Sequence, residues 1–306
     1  MNETFDYDQK VLGKDEVFDY NEVFMGVTHG KKGNYFISFE EDYRLKHLTD
    51  AVKAKSGKLV DLGCGGGLLT ESLAYYYPKV KVFGCDVSRT AISYAKKFGS
   101  GKVNYDLIKN KKLPYKDNSF DVCICLDVLE HIPDVDYFLK EVKRILKNNG
   151  KFFLVIPCEG QPFTYTWFFQ KLKMGDKLTF KNWGHIHPEF THKSVTKLLE
   201  THGFSVLGKT YSEHIFHQLL NFFTYFLPKE ILEFILKQNA TKYYDRGIVE
   251  KVVKNDRKTD ILDVIRETWL FIGTILSRLV ITLDVLLLKR IPFTAWKINL
   301  YTVVNK

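Results

Sequence analysis

The chain has 306 residues, of which 45% are hydrophobic and 26% charged. That composition excludes a disordered or fibrous protein and fits one large α/β domain or two small ones. The formal net charge is +9, but the basic residues are scattered, with nothing longer than pairs such as Lys31-Lys32 and Lys111-Lys112, so no nucleic-acid partner is expected. Five cysteines, at 64, 85, 123, 125 and 158, form no C-x-x-C pair. This argues against a disulfide scaffold and a zinc site, and suits a reducing, cytoplasmic compartment. The first ten residues, MNETFDYDQK, carry no apolar core, so no secretory signal is expected.

Residues 1–57 read as a helical N-terminal cap, with Tyr43, Leu45, Leu48 and Val52 at helical spacing. From 58 to 211 short apolar runs alternate with amphipathic ones, the βαβ pattern of a mostly parallel sheet. The runs predict strands at 58–62, 80–86, 103–107, 120–126, 151–156 and 203–211. Helices are predicted near 68–77, 89–98, 135–147 and 191–202, the third of them stopped by Asn148-Asn149-Gly150. Residues 212–292, rich in Phe, Leu and Ile and broken by Pro228, predict an apolar helical insertion. Residues 296–304, WKINLYTVV, alternate like a last strand.

Residues 268–288 are long enough to span a bilayer. Each large apolar residue favours insertion by roughly 0.3–0.6 kcal/mol, while Arg278 at the centre and Asp284 each cost about 2.5–3.5 kcal/mol. A helix followed by a strand of the cytosolic sheet cannot cross a membrane, so a buried or interfacial helix is expected, with a lid and a spanning helix as the alternatives.

The stretch most informative about chemistry is LVDLGCGGGL, residues 59–68, where an apolar strand runs into a glycine loop that opens a helix. Glycines there permit positive φ and close approach of a ligand to the backbone. Leu68 stands where a dinucleotide fingerprint has its third glycine, and Asp61, two residues before the first glycine, suits a cationic ligand better than a pyrophosphate. Asp86 ends the second apolar run, where a carboxylate can accept hydrogen bonds from both ribose hydroxyls. A helix N-cap at Asp86 or Ser88 is the competing reading.

The ordered set VDLGCGGG (60–67), GCDVS (84–88), LPYKDNSFDVCICLDVLEHIPD (113–134), LKEVKRILKNNGKFFLVIP (139–157) and HIHPEFTHKSVTKLLETHGF (185–204) resembles the class I S-adenosylmethionine-dependent methyltransferases of the "type 11" kind. The resemblance covers residues 58–211. It implies a Rossmann-like seven-stranded α/β sheet of order 3-2-1-4-5-7-6, here with a helical N-terminal cap and an insertion before the last strand, 293–306. It also implies S-adenosylmethionine as cofactor. Asp61, Gly63, Cys64, Gly65 and Gly67 would wrap its methionine end, Asp86 and Val87 would meet the ribose, Asp106 the adenine amine, and Leu126 and Asp127 the methionine part. Asp106 lies further from Leu113-Pro114 than the family pattern has it.

Catalytic candidates are His131, His185 and Glu130, with Glu159 and His187 nearby in sequence. On a helical turn Asp127, Glu130 and His131 share one face. With Glu in the first position that arrangement marks ubiquinone-pathway O-methyltransferases, where it accompanies a divalent metal. No metal is the first expectation here, and a site of Asp127, Glu130 and His131 is the alternative. Leu126-Asp127-Val128-Leu129 stands where adenine- and glutamine-modifying enzymes carry Asn/Asp-Pro-Pro-Tyr/Phe, which argues against those substrates. The function expected is methyl transfer to oxygen or carbon of a small, lipophilic acceptor, with possible association with the inner face of a membrane. The alternatives are a non-catalytic cofactor-binding protein and a methyltransferase for a polar metabolite or RNA.

Overall fold

The computed structural model describes Leu48, Val280 and residues 56–173, 184–223 and 283–306. The described elements are β1 (Gly57–Leu62), α1 (Leu68–Tyr76), β2 (Val80–Asp86), α2 (Arg89–Phe98), β3 (Asn104–Leu107), β4 (Phe120–Leu126), α3 (Val135–Ile145), β5 (Leu146–Pro157), α4 (Tyr165–Lys171), α5 (His192–Thr201), β6 (Phe204–Ser212), α6 (Ile215–Asn221) and β7 (Lys297–Val304). The seven strands form one sheet of order β3-β2-β1-β4-β5-β7-β6. The strands from β3 across to β5 pair in parallel, and β7 runs antiparallel to both β5 and β6. The fold is the seven-stranded α/β arrangement that the sequence implied.

Period-two alternation sends successive strand residues to opposite faces of the sheet. Val60, Cys123, Cys125, Phe152 and Leu154 pack with Leu139 and Val142 of α3 and Val195 and Leu199 of α5. Leu59, Val82, Val122, Ile124 and Phe153 pack on the other face with Leu73 of α1 and Ile92 and Ala95 of α2. A parallel sheet covered on both faces is hydrophobic throughout, which is why β4 reads FDVCICL without polar alternation. All five cysteines are buried and unpaired among these residues, and burial raises the thiol pKa of each.

Helix starts follow local chemistry. Ser88, not Asp86, caps α2 by accepting from the Ala91 N–H, and Thr191 caps α5 in a reciprocal box with Ser194. The third helix is shorter than expected. It ends at Ile145, and Leu146 is already extended and pairs with Phe120, so strand pairing overrides the helical periodicity of residues 146–147.

Of the expected cap, 1–57, Leu48, Ser56 and Gly57 are described: Leu48 is helical and buried with Leu59 and Val82, whereas Gly57 already opens β1. Most of the cap and of the 212–292 insertion lies outside the described residues. Where both ends of the insertion are described they are joined. The backbone N–H and Nδ1 of His214 both meet Asp284 Oδ1, at 3.1 and 2.7 Å, and Nε2 meets the Ile291 carbonyl at 2.8 Å. Among the described residues no helix is long and apolar enough to cross a membrane.

The loop before β4 is held on α3 by one guanidinium. Arg144 donates to Glu141, to Asp117 and to the carbonyls of Leu113 and Tyr115. These bonds lower the pKa of Glu141 from its ordinary 4.5. A carboxyl depressed in the folded state contributes stability above its unfolded pKa and loses it as pH falls through the folded one. Glu141→Gln is therefore expected to cost about 1.5–3 kcal/mol at pH 7, the range for hydrogen bonds to charged groups. Denaturant titrations should show the gap to the unaltered protein closing below about pH 4.5.

Candidate active site

The glycine loop lies at the carboxyl edge of the sheet, where β1 feeds α1. Gly63, Gly65 and Gly67 hold φ of 78°, 50° and 87°, a region that side chains rarely enter. Space is short as well. A Cβ on Gly63 would strike Val128, and one on Gly67 would overlap the Tyr105 hydroxyl. That hydroxyl, from β3, donates to buried Glu71 at 2.9 Å and lies 3.3 Å from the Gly67 carbonyl, so it shores the loop from below. The Thr70 hydroxyl donates to Asp61 Oδ2 at 2.7 Å, and Asp61 is 3% exposed.

Asp86 joins this loop to the next strand. Its Oδ2 accepts from the Gly65 N–H and its Oδ1 from the Ser88 N–H, both at 2.8 Å. Val87 beside it is exposed, and Asp106 and Leu126 are half-buried at the ends of β3 and β4. Asp61, Gly63, Cys64, Gly65, Gly67, Asp86, Val87, Asp106, Leu126 and Asp127 thus share one edge of the sheet.

Asp127 leaves β4 with φ +53°, and Leu129–His131 forms a single 3-10 turn. The expected helical face of Asp127, Glu130 and His131 is therefore not formed. Asp127 pairs instead with Lys297 of β7 at 3.0 Å, and Lys297 also meets Glu213 at 2.9 Å. What the turn does bring together is Glu130, His131 and His185. His185 arrives from a segment zipped onto the turn. The Ile186 N–H donates to the Glu130 carbonyl, His131 Nδ1 meets the Gly184 carbonyl, and His187 Nε2 meets the Ile132 carbonyl. His187 is thereby turned away from the cluster.

Glu130 is 1% exposed, and among the described residues no other one donates a hydrogen bond to either carboxylate oxygen. Its Oε1 lies 3.9 Å from Nε2 of both His131 and His185. Burial, then the charge of Asp127, raises the Glu130 pKa well above the carboxylate range. Burial, then His185, lowers that of His131 to about 4, so its ring is neutral at pH 7. His185 Nδ1 makes a short bond to Glu159 at the end of β5. Such a bond fixes the ring and leaves Nε2 as its acceptor.

Lys297 and Glu213 escaped the sequence reading because their partners lie on other elements. The available signal was a lysine opening an otherwise apolar strand, WKINLYTVV. Removing one partner of a buried ion set leaves the others uncompensated, at about 3–5 kcal/mol. Lys297→Met should lower stability by that order in chemical denaturation, and adding Asp127→Asn should restore part of it. A Lys297→Met protein as stable as the parent would show that the ammonium is not what holds this corner.

The comparisons with known proteins agree with this geometry. The profile of a family described as "Methyltransferase domain" matches residues 60–154. A "Ubiquinone biosynthesis O-methyltransferase" from Coxiella burnetii is 30% identical over 177 residues, 55% of this chain and 71% of that one. A relative of the same description from Pelagibacter ubique is 38% identical over 117 residues, 37% of this chain and 47% of its own length, so the chain spans about half of that protein. Among solved structures, phosphoethanolamine N-methyltransferase 2 of Haemonchus contortus with S-adenosylmethionine aligns with a TM-score of 0.56 at 17% identity, over 98% of this chain and 60% of that one. The glycine loop, the strand-end acids, the strand order and the identity to these relatives together show that the chain belongs to the class I S-adenosylmethionine-dependent methyltransferases, with S-adenosylmethionine as its cofactor.

Proposed function

We propose that the protein transfers a methyl group from S-adenosylmethionine to a hydroxyl of a small lipophilic acceptor, a quinone precursor or an isoprenoid, and that it meets this acceptor at the cytosolic face of a membrane. The observation that carries the reading is the path leading away from the polar cluster. The His185 ring lies 6.2 Å from that of Trp296, Trp296 lies 5.7 Å from Tyr165, and Tyr165 lies 6.3 Å from Phe169. The path ends beside exposed Phe168, 6.2 Å from Phe169, while Phe163 and Phe293, also exposed, lie 5.1 Å apart, and Leu286 and Leu287 are exposed in the segment before β7. An exposed apolar area of this kind marks an interaction surface, and Lys289 and Arg290 follow Leu288 directly, as basic residues do at the edge of an interfacial helix. The description carried by the C. burnetii and P. ubique relatives supports an oxygen acceptor.

In this reading Asp61, Gly63, Cys64, Gly65 and Gly67 surround the methionine end of the cofactor, and Asp86 and Val87 meet its ribose. Asp106 faces the adenine, and Leu126 and Asp127 stand beside the sulfur. Methyl transfer from a sulfonium is an in-line displacement. The acceptor oxygen forms its bond to the methyl carbon as the carbon–sulfur bond breaks, the sulfur keeps the electron pair, and the hydroxyl proton must leave. Alignment supplies much of the rate. The proton passes to Nε2 of His185, the ring nitrogen that the bond to Glu159 leaves as acceptor, with Glu130 and His131 lining the same face.

Two measurements test this reading. Calorimetry with S-adenosylhomocysteine should show Asp86→Ala weakening binding by about 1.5–3 kcal/mol, the range for a hydrogen bond to a charged group. Gly67→Ala should do at least as much, and unchanged affinity in the Asp86 variant would remove the ribose assignment. In the second, anionic vesicles carrying a polyprenylated phenol are floated with the protein and methyl-labelled cofactor. The protein should rise with the vesicles and label the phenol, and replacing Leu286, Leu287 and Leu288 by Ser should reduce both. Label passing equally well to a water-soluble phenol, with the protein left at the bottom, would overturn the lipophilic and membrane parts together.

A further inference from the structure

A histidine between β6 and α6 is bonded in a way that only one protonation state allows. His214 is 1% exposed and Asp284, its partner 70 positions on, is 6% exposed. The Ile291 carbonyl, 2.8 Å from Nε2, can only accept, so Nε2 carries a proton. Nδ1 faces Asp284 Oδ1 at 2.7 Å, and that oxygen already accepts from the His214 backbone N–H at 3.1 Å. A proton must lie between Nδ1 and the carboxylate, since otherwise a ring lone pair would face a negative oxygen in a buried place. Both ring nitrogens therefore donate, as only the imidazolium does. Among the described residues, the other charged and titratable groups close to the ring come from four stretches. They are Glu213 next to it in the chain, His217 on α6, His192 of α5, and Lys289 and Arg290 just before Ile291. The Glu213 carboxylate is taken by Lys297 at 2.9 Å, which leaves Asp284 as the counter-ion of His214. Burial, and beyond it the charge of His214, lowers the pKa of His192 to about 4, so that ring adds no second cation at neutral pH.

The same few residues carry the aromatic wall behind His185. Gln218, 1% exposed, donates to the carbonyls of Glu213 and Thr294 at 2.5 and 2.6 Å and accepts from the Tyr165 N–H at 2.9 Å. Its own N–H donates to the His214 carbonyl at 3.0 Å, and the Trp296 N–H donates to the Glu213 carbonyl at 3.1 Å. We propose that His214 is held as an imidazolium whose proton fastens the start of α6 to residues 284–291, and that His214 is thereby a pH-sensitive positioning residue for Tyr165 and Trp296. The stabilisation is present while the proton is bound and is lost as rising pH removes it. The proton then goes to solvent, and the pair passes from neutral to a net charge of minus one. The effect on acceptor use rests on the methyl-transfer reading above, whereas the protonation state of the ring does not. An amide at position 284 would change the requirement. Its oxygen accepts the backbone N–H while its nitrogen donates to a lone pair on Nδ1, so Asp284→Asn keeps the junction closed around a neutral ring.

The full chain is labelled with nitrogen-15 in its histidine rings, and proton–nitrogen spectra are recorded from about pH 7 to about pH 9. At the lower pH the His214 ring should show protons on both nitrogens, and His214→Gln should remove those signals and no others. Amide hydrogen exchange, corrected for its intrinsic pH dependence against the amides of α2, is followed at residues 213–218 and 284–291. In the unaltered protein these amides should lose protection by about tenfold or more over that range, in line with the cost of leaving a buried acceptor unpaired. In Asp284→Asn the ring should be neutral and the protection should not change with pH. Methyl transfer to a polyprenylated phenol should follow the same pattern through KM, while affinity for S-adenosylhomocysteine stays constant in both proteins. A His214 ring with a single proton at the lower pH would overturn the proposal, and that spectrum of the unaltered protein decides it even where a variant fails to fold. Protection that is independent of pH in the unaltered protein, or that falls equally in Asp284→Asn, would overturn it too. A doubly protonated ring without any methyl transfer to the phenol would instead count against the acceptor reading and against the positioning role, leaving the proton-dependent junction in place.

Discussion

Lys297 carries its ammonium to the carboxyl edge of the sheet, 3.0 Å from Asp127 and 2.9 Å from Glu213, with 8% of the residue exposed. A cation so placed must be paired, and the pairing reaches three elements at once: the exit of β4, the exit of β6 and the start of β7. It is available because β7 runs antiparallel between β5 and β6, so that its first residue lies at the edge where the parallel strands end. With Asp127 turned toward Lys297, the following turn presents Glu130 and His131 on their own.

The second half of the site comes from a long-range zipper. Residues 184–187 bond backbone and side chain to residues 130–132, more than fifty positions earlier. This places His185 against His131, ring centroids 5.1 Å apart, and delivers Glu159 from the end of β5 behind it. Burial then sets the chemistry. Glu130 keeps a proton to higher pH than an exposed carboxylate would, while His131 stays neutral.

The glycine loop shows the same economy with a shorter reach. Tyr105 occupies the space that a side chain at position 67 would need, and its hydroxyl joins Glu71, which also accepts from the Ser100 hydroxyl at 2.6 Å. Asp86 ties the loop to the second strand from the other side. The loop is therefore held at two points by side chains that belong to β2 and β3, and its shape does not rest on the glycines alone.

Much of this was legible in the chain itself. Strand and helix order follow from local periodicity, and the glycine loop and its acids follow from residue type and spacing, because each is a property of fewer than about ten consecutive residues. The sequence also marked Glu130, His131 and His185 individually, yet grouped the first two with Asp127 by assuming a regular helical turn. Only the folded chain decided that grouping. A left-handed backbone at Asp127, a lysine 170 residues away and a histidine from the segment before α5 are contacts between elements, and no local pattern encodes which surfaces meet when a sheet closes around its last strand.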